Sequence, residues 1–171
     1  MSHLTNHWST RLALVALVLV LAAAPPAFAG SASTTLSVSA TVANNCTIST
    51  SAVAFGNYDP LVANATTPLD QTGSVTITCT KGAVTTVGLD PGGNALGSTR
   101  RMAGGADLLT YELYKDSART AVWGNSGADL LNPATAPSKA PRSFTIYGRV
   151  PAGQDVLAAA YADTVTATVN F

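Results

Sequence analysis

The chain has 171 residues, nine Lys and Arg against nine Asp and Glu, and two His; nearly half of its residues are hydrophobic. Near-zero charge leaves no basic footprint for nucleic acid. Both histidines, His3 and His7, fall near the start, within a stretch that reads as a leader. The remainder has no His, which excludes Ser-His-Asp catalysis and every His-based metal site there.

In chain order, Arg11 is followed by an apolar run, Leu12 to Ala24, and by the small-residue signature Ala27-Phe28-Ala29. This reads as a secretory signal peptide over residues 1–29, too short in its apolar run to serve as a membrane span. Cleavage after Ala29 leaves 142 residues with eight basic and nine acidic groups, enough for one domain with a real core. Cys46 and Cys79 then travel to an oxidising compartment. An even count there favours a disulfide, with two buried free thiols as the alternative.

Past the leader, strand patterns recur between turn signals. "TTLSVSATVANN" places Leu36, Val38, Ala40 and Val42 on one face; "CTISTSAVAFGNY" follows at once. "GSVTITCTKG" aligns Val75, Ile77 and Cys79, and "AVTTVGLDPGG" ends in a turn. "LLTYELYKD" separates Leu109, Tyr111 and Leu113 from Leu108, Thr110, Glu112 and Tyr114. "TAVWGNSG" reads as a short strand and turn, and "RSFTIYGRVPAG" as another strand. "DVLAAAYAD" suggests a turn or two of helix, while "NALGSTRRMAGGAD" and "LLNPATAPSKAP" read as polar rim loops, with Arg100 and Arg101 either solvated or a small binding spot. "YADTVTATVNF" sets Val165, Ala167, Val169 and Phe171 against Thr164, Thr166, Thr168 and Asn170. The whole predicts an all-β antiparallel sandwich.

Carboxylates at Asp90, Asp107, Glu112, Asp116 and Asp129 are of the right type for glycoside hydrolysis but fall in no motif. Trp123 reads as a strand-end aromatic in preference to a sugar platform. No cofactor or metal motif is present, and no catalytic residue is assigned. The two alternating ends are the informative feature. Only Ala43, Asn44 and Asn45 separate Val42 from Cys46, so the leading strand has little room to fold back beside its own far strand. An open strand edge beside an apolar groove is a hazard unless something covers it, and the leading strand of another copy is one natural cover.

"NNCTIS", "VAFGNYDP", "GSVTITCTKG", "LTYELYKDSARTAVWG", "YGRVPAGQDV" and the final "YADTVTATVNF" together resemble the spore coat protein U domain family, which includes pilins of the archaic chaperone–usher pathway. The resemblance implies an immunoglobulin-like antiparallel sandwich missing its last strand, over residues 45–171, with an N-terminal donor extension over 30–44. It implies a Cys46–Cys79 disulfide. It places a donor strand at Leu36, Val38, Ala40 and Val42, and an acceptor and chaperone-binding strand at Val165, Ala167, Val169 and Phe171. It further implies a pilus subunit exported through the periplasm to the cell surface and serving adhesion and biofilm formation. The partners would be a periplasmic pilus chaperone, an outer-membrane usher and other copies or related pilins. A self-capped monomeric coat or surface protein of the same fold is the alternative; a secreted sugar-binding or sugar-cleaving sandwich is a third.

Overall fold

The computed structural model describes residues 26–171, so most of the leader expected over 1–29 lies outside the described residues. Residues 40–171 form one compact unit and the segment up to Ser39 a separate one. The latter, over its described part, carries no regular secondary structure. Among the described residues no helix is long and apolar enough to cross a membrane.

Seven strands build the larger unit: β1 (Cys46–Ser51), β2 (Leu69–Cys79), β3 (Thr86–Leu89), β4 (Arg100–Gly104), β5 (Asp107–Tyr114), β6 (Arg142–Val150) and β7 (Ala167–Asn170). Five form a sheet in the order β1-β2-β6-β5-β4, and β3 pairs with β7 in a second layer. Every pairing between these strands is antiparallel.

The core is what the alternation dictates. Because successive side chains take opposite faces, Val75 and Ile77, then Leu109, Tyr111 and Leu113, then Ile146 and Val150 point inward from the large sheet, and Val87 and Leu89 face them from β3. Leu108, Thr110, Glu112 and Tyr114 take the outer face of β5, as the pattern requires. Trp123 is fully buried and ties the layers together: its main-chain N–H donates to the Leu113 carbonyl at 2.9 Å and its indole N–H to the Val87 carbonyl at 2.9 Å. Cys46 and Cys79 are directly opposite across β1 and β2 and form a disulfide. After β1 the chain crosses over β6 at Gly148, where an added Cβ would stand 2.6 Å from Val53 and 2.8 Å from Phe55.

Several expectations change. The stretch containing Arg100 and Arg101 is no rim loop but β4, hairpinned to β5. Arg100 is neither solvated nor a binding spot: it is 2% exposed. It pairs with Glu112 on the adjacent strand and donates to the Leu89, Asp90 and Trp123 carbonyls at 2.8–3.1 Å. "TAVWGNSG" makes only a single bridge, Val122 to Tyr114. "DVLAAAYAD" is not helical, because its polar groups are taken by distant strands: Leu157 N–H donates to the Asp107 carboxylate at 2.7 Å, and Ala162 pairs with Ala103. Residues 34–42, expected as a strand, join no sheet within this chain. An isolated strand leaves its main-chain donors and acceptors without a ladder.

Candidate functional site

The site starts from two strand edges. Asn45 accepts the Thr80 N–H at 2.9 Å, and in an antiparallel ladder bonded and non-bonded pairs alternate. Thr47, Ser49 and Ser51 therefore turn their main-chain groups toward β2, while Cys46, Ile48 and Thr50 turn theirs away. On the other layer the Thr166 carbonyl accepts from Asp90 N–H at 3.0 Å and the Thr164 carbonyl from Gly93 N–H at 3.1 Å. The even residues of this last strand thus face β3, and the N–H and C=O groups of Val165, Ala167, Val169 and Phe171 face outward. Neither open edge has a main-chain partner among the described residues.

β7 comes close to β1, and the two layers gape at Thr50 and Ala167 into a groove of about 1290 Å³. Leu89, Leu109, Tyr111, Leu113, Ile146 and Val150 form its floor. One wall is the segment after β1; the other is the segment from Asp155 to β7. The expected acceptor residues divide along it. Val165 and Ala167 line the groove, Val169 lies half-buried at the narrow end, and Phe171 is 54% exposed. Of the expected donor residues, Leu36, Val38 and Val42 are 86%, 85% and 82% exposed, and Ala40 is exposed as well.

Polar residues fix the walls. The Tyr111 hydroxyl donates to Asp163 Oδ2 at 2.7 Å, and Asp163 Oδ1 accepts from the side chain and main chain of Asn94 at 3.0 and 3.2 Å. Burial, and then the neighbouring Asp163 carboxylate, push the Tyr111 phenol well above its usual range, so it remains a donor. Asp90 Oδ1 accepts the Thr166 and Gly92 N–H groups at 2.9 and 3.0 Å, anchoring the start of the last strand. Burial opposes ionisation of Asp90, but these hydrogen bonds outweigh it and hold its carboxyl below the usual range. At the far end the Tyr58 hydroxyl donates to the Pro151 carbonyl at 2.9 Å and accepts the Gln154 N–H at 2.8 Å. The Gln154 side chain clamps both main-chain groups of Thr110. Asp163, Tyr58 and Gln154 are not legible as site residues in the sequence, since their partners lie 44 to 96 positions away.

Four of the five candidate carboxylates do structural work: Asp107 and Asp116 hold main-chain amides, as Asp90 does, and Glu112 pairs with Arg100; Asp129 is exposed. Trp123 is buried and offers no platform to a sugar. The groove is apolar-floored and edged by unpaired main chain.

An antiparallel sandwich of the immunoglobulin type, one strand short and open along two edges, is thus the class of molecule that these residues build. The chain belongs to the Spore Coat Protein U domain family, which matches residues 32–168. It is 38% identical to Protein U of Myxococcus xanthus over an alignment of 183 positions, covering 97% of this chain and 99% of that protein. The fold is similar to a chain in the crystal structure of the CsuC–CsuE chaperone–tip adhesion subunit pre-assembly complex from the archaic chaperone–usher Csu pili of Acinetobacter baumannii. That match has a TM-score of 0.55 and 25% identity; it covers 77% of this chain and 41% of the other.

Proposed function

We propose that the protein is a structural subunit of a chaperone–usher pilus, exported through the periplasm and polymerised on the cell surface by donor-strand exchange. The observation that carries this reading is the apolar groove between two open strand edges, in a chain that also holds an unpaired alternating segment. Leu36, Val38, Ala40 and Val42 of one copy enter the groove of the next and extend the ladder of the strand at Val165, Ala167, Val169 and Phe171. Full burial of the four side chains contributes about 5–8 kcal/mol as an upper figure. Before assembly a periplasmic chaperone strand covers the same edge, and an outer-membrane usher delivers the subunit to its neighbours; the likeness to the Csu pre-assembly complex supports this order. Adhesion and biofilm formation are the roles such a fibre serves, and the reading assigns the protein no catalysis.

The name of the matching family, Spore Coat Protein U domain, favours a second reading, a coat or surface protein of the same fold; on this reading the chain caps its own groove and stays monomeric. Surface fractions separate the two. Polymers resistant to mild denaturant, present in the unaltered chain and absent when residues 33–43 are deleted, support exchange. Normal polymers after the deletion refute it, and a stable soluble monomer for the unaltered chain that the deletion destabilises supports self-capping.

A further inference from the structure

This inference rests on the donor-strand reading and concerns what decides between the two occupants of the groove, a chain's own leading segment and that of a neighbour. To cap its own groove, the segment before Val42 must reverse direction beside the open edge of β1. The reversal has to be made by Ala43, Asn44 and Asn45, a length sufficient for a tight hairpin turn.

Two of those residues, Ala43 and Asn45, are not free. The Thr80 carbonyl, which a regular ladder would offer to Asn45, accepts instead from Ala83 N–H at 3.1 Å in the turn after β2. The Thr80 hydroxyl takes its place and accepts the Asn45 N–H at 3.1 Å. Its single proton is shared between the carbonyls of Ala43 and Asn45, each 3.3 Å away. The Thr80 main-chain N–H donates to the Asn45 carbonyl, and the Cys46–Cys79 disulfide pins the next pair. The chain leaving β1 is therefore tied to the β2 side as far as Ala43, on the side of β1 away from its open edge.

We infer that the Thr80 hydroxyl is a positioning group that holds residues 43–45 against making the turn back, and so reserves the groove for the leading segment of another copy. Without it, a three-residue reversal becomes available and the chain's own Thr34–Val42 competes for the groove.

The test uses the secreted mature chain, isolated as monomer, and a fluorescent synthetic peptide of residues 33–43 as the probe. The unaltered chain and Thr80→Ser, which keeps the hydroxyl, should take up the peptide with equal apparent affinity. Thr80→Val should take it up more weakly, by at most about five-fold, the weight of one hydrogen bond, because its own segment now occupies part of the population. Melting temperatures measured in parallel should stay level. Equal uptake by all three overturns the inference and leaves exchange standing; refusal of the peptide by all three overturns exchange and the inference with it. Should Thr80→Val fail to fold, amide hydrogen exchange in the unaltered chain decides: Asn45 should exchange much more slowly than Asn44, and equal rates refute the tie.

Discussion

Arg100 satisfies three main-chain carbonyls on two separate segments and one carboxylate while almost wholly out of water. Removing one partner of a buried ion pair strands the other, at a cost of about 3–5 kcal/mol. Arg100→Ala should therefore lower stability by that amount in urea denaturation; a change below about 1 kcal/mol would contradict the arrangement. Cys46→Ala should cost about 2–5 kcal/mol through loss of the disulfide, read as a lower urea midpoint and lower secreted yield. Arg100 also shows why part of the fold is hidden in the sequence. Gly and Arg around β4 depress any strand signal, and the partners that make the Arg buriable lie on neighbouring segments, whereas the cysteine pair is visible because it needs only compartment and parity.

Among the elements, β7 is held in the second layer by its pairing with β3, and Asp90 fastens its start. Asp70, bonded by both Arg149 nitrogens and near Arg119, also has its carboxyl lowered, with the Arg149 hydrogen bonds as the main cause. A carboxyl lowered in the folded state stabilises above its unfolded value, about 3.9, and the contribution is lost as pH falls through the folded value. Urea midpoints should be flat above about pH 5 and fall below about pH 4; Asp90→Asn should flatten that fall and speed amide exchange in β7. An unchanged acid limb would refute this role for Asp90. The strand faces give a second test. On the donor-strand reading, Val38→Asp puts a charge into the apolar groove of the neighbour, a cost of several kcal/mol, and should abolish polymers, whereas Ser37→Asp should be nearly silent. Val169→Asp should likewise damage the groove strand more than Thr168→Asp. Equal effects within either pair would contradict the register. Such alternation is why β5, β6 and the last strand are legible from the residues alone. "DVLAAAYAD" misleads because alanines favour helix locally, while the long-range bonds to Asp107 and Ala103 that override this leave no local trace.

The large sheet has five strands and the facing layer two, and the core opens into the groove at Thr50, Val165 and Ala167. The apolar floor is legible residue by residue, but the groove is not, because it is made by the placement of two crossing segments pinned at Tyr58 and Gln154. On the proposed reading, an open edge and an apolar floor in one subunit, with an alternating segment to match, make a unit whose stability is completed by association. The most direct test is the mass of the mature secreted chain, measured by size exclusion with light scattering, with and without residues 30–44. The account predicts a ladder of oligomers for the intact chain and monomer alone for the shortened one; the same mass distribution for both would contradict it.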